Sequence, residues 1–422
     1  LPYKGKFDIY DYPSYVTTHH AAFPQAFVMT PPLETHQFDE YRTFRDPHTG
    51  RQWRQLTSGR DGCCPLYFYG HVTTTDGMTI LFYRYHEGTV QNWKLDLSTG
   101  LATRLTNAST PNCLRWFWHE PQPASGVREM MTCFSPSSEE MAYFDNNTLR
   151  AVHIRTLEDR TVFHLPKDRV PSSIPDLSPC GRFFAFAHAE RAWWEEATRS
   201  GPPARHEARQ VHLEVVEMAT GQRRHLLTMN SLLTHVNFCG ADRLIFTHLP
   251  TEEALLVTDM RGGWFAALRT QTPDGVCVNH AVPTARGVFY ETVSPLPHGT
   301  VGRADPETFE SVDYLTNHPV HHIGHDWEGR MLFGDIYQAE TPHDRHLAWL
   351  PAVETGKVNH FDLLTGPFRL HGNPRFQRNH IHGTLMPDRQ NILFTGPDDH
   401  HEANHLFLLD VSDLADQSTE FA

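Results

Sequence analysis

The chain has 422 residues, with 36 Lys and Arg against 50 Asp and Glu, a formal net charge of −14. That balance excludes the basic face a nucleic-acid binder needs to displace counterions from phosphates, and it leaves any anionic ligand to a focused local site. No run of about 18 apolar residues occurs, so no helical membrane span is expected.

Residues 1–43 carry aromatic residues and prolines without clear period and are expected to form an arm or lid. Residues 44–422 are expected to form one domain. Within it a strand, a polar turn and an apolar strand recur seven times: Tyr69–Tyr83, Thr132–Phe144, Pro175–Phe186, His235–Phe246, His280–Tyr290, His322–Phe333 and His382–Phe394. The turns fall at Asp76, Ser138, Cys180, Gly240, Ala285, Glu328 and Asp388. Spacings of about 40 to 60 residues, with strand signals inside, are the length of a four-stranded propeller blade. Trp93–Thr106 and Val211–Leu226 supply third and fourth strands, each pair joined by a Gly-containing polar turn. The predicted fold is all-β, a seven-bladed β-propeller. Few strands remain after Asp410, and Arg51–Thr57 stands alone before the first unit. The N-terminal strand is therefore expected to complete the last blade and close the ring. The third unit holds Glu190–Ala197, a short helix-like insertion expected to wall a site.

Seven cysteines include no Cys-x-x-Cys pair, which argues against a zinc ribbon or thioredoxin-type site. Adjacent Cys63 and Cys64 are not expected to bridge each other, because that geometry is strained. The start at Leu1 and the sequons at Asn107 and Asn146 give an expectation of a processed, secreted chain.

Thirty histidines are the compositional outlier. In a propeller the first strand of each blade lines the central channel. Five blades place His there at nearly the same phase: His71, His235, His280, His322 and the pair His380/His382. Fold symmetry should bring these together. His380-Ile381-His382, read as a strand, points both rings to one face. A lone His-x-His is more often structural, but convergence of the blade starts favours a metal. His280 and the Gln377 amide oxygen would complete the set. Imidazoles with a neutral oxygen donor suit manganese, iron, nickel or zinc better than magnesium or calcium. His321 and His322 are read as supporting residues, and His400, His401 and His405 as a solvated loop cluster.

Several segments resemble the oligogalacturonate lyase family: Asp46–Thr57, Cys64–Tyr69 running on to Asp96–Gly100, Thr234-His235, Cys277–His280, and Gln377–His382 with Asn391–Thr395. The resemblance spans most of residues 44–412. It implies a seven-bladed propeller lyase with a divalent ion, manganese by preference and calcium, zinc or nickel as alternatives. The ligands it implies are His280, Gln377, His380 and His382. It implies a base at His235 and a catalytic arginine in the third blade, for which Arg209 is the nearest match. The chain departs from the family at Ile381, where the family has Pro, in having residues 1–43, and in His71.

The implied reaction is β-elimination at a 4-linked uronate in an oligosaccharide or glycan, giving a 4,5-unsaturated uronate. The substrate would be oligogalacturonate or a rhamnose-linked glucuronate of the plant-gum or ulvan type. A metal or Arg neutralises the carboxylate so that the C5 proton can leave to a neutral His. His71 is the second candidate for base or acid, and Tyr67 or Tyr69 could also donate a proton, although such aromatics are more often core. Two rivals remain: a non-catalytic propeller binding glycans or proteins, and a glycoside hydrolase. The latter needs two facing carboxylates, whereas the blade starts offer little beyond Asp176. Oligomeric state is left open.

Overall fold

The structure, a computed structural model, describes residues 34–38, 41–115, 124–200, 210–249, 254–272, 276–293, 299–316, 320–338, 341–350, 361–364, 368–373 and 376–415. These residues form seven antiparallel sheets that follow one another along the chain. Blade 1 runs outward from Cys63–Pro65 through Thr79–His86, Thr89–Asp96 and Leu101–Arg104, and Thr35–Gln37 adds an outermost strand. Blade 2 is Cys133–Ser135, Glu140–Asp145, Thr148–His153 and Asp159–His164. Blade 3 begins with the split strand Arg169–Pro171 and Asp176–Leu177, and continues through Phe183–Glu190, Val211–Glu217 and Arg223–Met229. Blades 4, 5 and 6 begin at Leu232–Cys239, Cys277–Thr284 and Val320–His325. The fold is the seven-bladed β-propeller that the repeats predict.

The last sheet joins early and late strands of the described chain. Its inner strands, Thr384–Leu385, Asn391–Asp398 and Ala403–Asp410, are followed outward by Gln52–Gln55 and Thr43–Arg45. Trp53 pairs with Leu409 and Gln55 with Phe407. A buried polar network reinforces the join. Gln55 Nε2 donates to Asp398 Oδ2 at 3.0 Å, and His405 Nε2 donates to the Gly59 carbonyl at 2.9 Å. That tautomer leaves His405 Nδ1 to accept from Thr57 Oγ1 at 3.1 Å. His405 is therefore fully buried and satisfied, not part of a solvated loop as its neighbours in sequence suggested.

The turns between first and second strands use the chemistry the sequence offers. Asp76 Oδ1 accepts from Thr74 Oγ1 and the Met78 amide, closing an Asx turn ahead of Gly77 at φ +69°. Large apolar side chains fill the spaces between blades, as where Phe144 packs on Phe184 and Phe186 between blades 2 and 3. The insertion in blade 3 is a ten-residue helix, α1 (Arg191–Ser200). Its Trp194 is fully buried and donates Nε1–H to the Arg115 carbonyl at 3.1 Å. The six cysteines described are all free.

One feature departs from simple repetition. The innermost strands are irregular where they line the channel. Pairing slips between Thr234 and Asn237, between Val278 and His280, and between His321 and Gly324. The Gln377–Asn379 segment is a 3-10 turn, and strand begins only at Thr384. The strand reading of the His-x-His motif is corrected accordingly: extra residues at the channel break the ladder, as β-bulges do when they re-aim a side chain.

Candidate metal and proton-transfer site

The irregular inner strands place four non-glycine residues in the left-handed region: Met130 (φ +61°), His235 (+40°), His322 (+54°) and His382 (+49°). Such a backbone costs a non-glycine residue about 1–2 kcal/mol and clusters where function requires it. Here it turns side chains from four blades toward the channel centre. His235 and His280 have ring centroids 4.6 Å apart, His280 and His322 4.8 Å, and His322 and His382 4.4 Å. The Tyr67–Phe68–Tyr69 segment of blade 1 closes the group, with the Tyr67 ring 5.9 Å from His235 and 5.2 Å from His382.

Two sets of three imidazoles have ligand nitrogens all within 4.8 Å of one another: His322, His380 and His382, and His280, His321 and His322. His322 belongs to both. Its Nδ1 lies 3.0 Å from Asp335 Oδ1, and its buried Nε2 has no hydrogen-bond partner. A proton on Nδ1 shared with the carboxylate fixes the tautomer and leaves Nε2 with a free lone pair, the arrangement that carboxylate-backed metal histidines use. This donor set fits a borderline divalent ion such as manganese or zinc. His280 is backed in the same way, with Nδ1 2.5 Å from Glu291 Oε1. Glu291 and Asp335 are essentially inaccessible to solvent, so two buried carboxylates lie beside the imidazoles. One divalent ion would balance their charge, which an apolar interior demands.

His235 differs. Its Nδ1 contacts Thr247 Oγ1 at 3.1 Å and Thr234 Oγ1 at 2.9 Å, and its Nε2 faces the Tyr67 hydroxyl at 3.1 Å. Burial, then the neighbouring His280, holds the His235 imidazole well below the ordinary value. Burial does the same for His322, with His321 and His382 adding to it. Both rings are therefore neutral near pH 7, as ligands and bases must be. The Tyr67 hydroxyl is pushed well up by burial and by Glu291 and Asp335, so it stays protonated.

Of the residues singled out in sequence, the structure brings together His235, His280, His380 and His382. It does not group His280 with His380 and His382; His322, set aside as a supporting residue, takes that place among the described residues. Gln377 lies in the 3-10 turn just ahead of His380, its side chain outside what is described. Arg209 lies outside the described residues. His71 stacks on Trp327 at 4.4 Å, beside the hairpin turn that follows Val320–His325, and burial lowers it to about 4. A small cavity beside it is lined by Tyr67, Tyr69, His71, Met130 and Asp176. The Asp176 carboxyl accepts from the Phe238 amide at 2.9 Å, and burial raises it to about 7. Glu291 and Asp335 were not foreseen. The signal was present: Glu291 pairs with His280 in its hairpin, and Asp335 with His321.

No family model matches the chain. It is 24% identical over 409 residues to the oligogalacturonate lyase of Dickeya dadantii, covering 88% of this chain and 96% of the relative. It is 24% identical over 407 residues to the oligogalacturonide lyase of Pectobacterium atrosepticum, with the same coverage. Among solved structures, an oligogalacturonate lyase in complex with manganese superposes with a TM-score of 0.74 at 21% identity, covering 90% of this chain and 98% of that one. The oligogalacturonate lyase of Vibrio parahaemolyticus gives 0.74 at 17% identity, covering 90% and 99%. In sequence and in fold, over nearly its whole length, the chain is similar to oligogalacturonate lyases.

Proposed function

We propose that the chain is a carbon–oxygen lyase that cleaves a 4-linked uronate in an oligosaccharide by metal-assisted β-elimination. The observation that carries this is His322, buried and backed by Asp335, in a set with His380 and His382 whose ligand nitrogens all lie within 4.8 Å of one another. The named activity of the relatives favours oligogalacturonate over the rhamnose-linked glucuronates, and the solved relative favours manganese.

His322, His380 and His382 would hold the ion, with Gln377 as a further ligand supported by the sequence pattern alone. When bound, the ion supplies Lewis-acid charge to the substrate carboxylate, which makes the C5 proton acidic enough to remove. His280 is assigned the proton. Its Nδ1 is tied to Glu291, so Nε2 is the basic nitrogen, and the carboxylate stabilises the imidazolium that forms. His235 and Tyr67 form the second pair. The Tyr67 O–H donates to His235 Nε2, and the Thr hydroxyls hold the ring from the other side. This contact holds the Tyr67 oxygen in place, and the O–H would turn from His235 Nε2 to protonate the leaving oxygen. This assignment moves the base from His235, where the resemblance implies it, to His280, which the resemblance implies as a ligand.

The test is incubation with oligogalacturonate, ulvan and rhamnosyl-glucuronate glycans, with and without chelator. The readout is ultraviolet absorbance of the conjugated double bond. Absorbance with oligogalacturonate that disappears on chelation is expected. Reducing ends released without absorbance would replace elimination by hydrolysis.

A further inference from the structure

We propose that the first turn of α1 and the Arg128 beneath it form an anion site that takes a uronate carboxylate of the substrate, away from the imidazole cluster. This rests on the uronate reading above. Arg128 lies just ahead of the inner strand of blade 2, two residues before left-handed Met130. That is the position His380 holds ahead of left-handed His382 in blade 7.

Arg128 is fully buried, yet only one of its three nitrogens is satisfied. Nη2 donates to the Pro171 carbonyl at 2.7 Å, while Nε and Nη1 have no partner. No carboxylate among the described residues forms an ion pair with it. The adjacent Glu129 is turned to Arg115, which it holds at 3.0 Å through Nε and 2.6 Å through Nη2. A buried guanidinium left without an anion is expensive, and natural structures almost always supply a counter-charge.

What surrounds Arg128 is positive. Its guanidinium sits 5.5 Å from the ring of Trp194 in the first turn of α1. Arg191, the first residue of that helix, acts on it electrostatically, and burial together with Arg191 lowers it to about 9. No acidic residue occupies the first turn of α1. Glu195 lies one turn further and faces Arg191 at 3.6 Å. The Arg191 amide is used by the Asp168 carbonyl. The positive end of the helix dipole and a guanidinium with two unused nitrogens thus lie at the same turn of α1, a combination that selects an anion. On a chain of net charge −14, such a focus is what an acidic oligosaccharide requires. The guanidinium is covered by Trp194, so entry of a carboxylate would require the first turn of α1 to move aside.

The test compares the full chain with Arg128→Met and Arg128→Lys. Thermal midpoints are read with millimolar galacturonate, sulfate or glucose, and KM and kcat with oligogalacturonate. Galacturonate should raise the wild-type midpoint and glucose should not. Arg128→Met should lose that rise while its own midpoint stays level or increases, because an uncompensated buried charge is gone. Its KM should rise about tenfold or more, the scale of a lost charge-assisted hydrogen bond, and by more than kcat falls. Arg128→Lys should retain stability and raise KM by less than Arg128→Met does. A lower midpoint in Arg128→Met with the galacturonate rise intact would make Arg128 a structural support and overturn the proposal. So would wild-type KM and galacturonate response in Arg128→Lys, or protection by sulfate alone. An Arg128-dependent galacturonate rise in a protein that eliminates no uronate would leave the anion site standing and sink the lyase reading instead.

Discussion

His322 shows how two residues divide one task. The imidazole offers Nε2 to the cluster only because Asp335 fixes the proton on Nδ1. Replacing Asp335 with Asn should free the ring to turn or change tautomer, lowering metal affinity by about 10–100-fold. Titration of manganese into the metal-free protein measures this directly. Glu291→Gln, acting through His280, should behave differently: metal content stays near wild type while kcat falls. Equal loss of metal in both variants would mean that His280 is a ligand and not the base. Most of this site was legible in sequence because symmetry repeats the blade start, so His235, His280, His380 and His382 could be paired without knowing a distance. His322 was discounted because it lay next to another histidine, and spacing along a strand cannot say which of two neighbours turns inward. Its left-handed backbone decides that, and sequence does not encode φ at a histidine.

At the scale of the strand, the hairpins were readable and their irregularities were not. Alternation and turn residues locate the Thr79–His86 and Thr89–Asp96 pair. No comparable signal marks the slips at Asn279 or at Ile323, since a bulge adds one ordinary residue. The slips nonetheless shape the site, because two of them hold His235 and His322 in a left-handed conformation that tertiary structure must impose, as the turn ahead of Thr384 does for His382. A paired comparison separates this strain from the imidazole itself. His382→Ala and His382→Gly both remove a ligand. Only glycine tolerates φ +49° freely, so the glycine variant should be the more stable by about 1 kcal/mol in urea unfolding. An alanine variant as stable as the glycine one would show that the inner strand relaxes and that little strain is stored there.

At the scale of the whole molecule, the join between early and late strands contributes to stability and to its pH dependence. Residues 52–59 and 391–410 are held by strand pairing and by His405, which spans Thr57 and Gly59 while fully buried. Burial lowers the His405 imidazole to about 4, against an unfolded value near 6.5. The folded state therefore resists protonation more than the unfolded chain does. His405 contributes its full stability above about pH 6.5 and loses it progressively down to about pH 4, by an amount on the order of 3 kcal/mol. Asp398, beside it, is held below the ordinary carboxylate value by His401 and Gln55 despite its own burial, so its contribution is lost only at lower pH still. Urea midpoints measured from pH 7.5 to 4.5 should fall steadily in the wild type. His405→Gln should start lower at pH 7.5, having lost the bridge to Gly59, and decline with a shallower slope, because one buried titrating group is gone. Parallel slopes for the two proteins would place the acid sensitivity elsewhere, on the channel imidazoles, and a chelator-dependent slope would confirm that location.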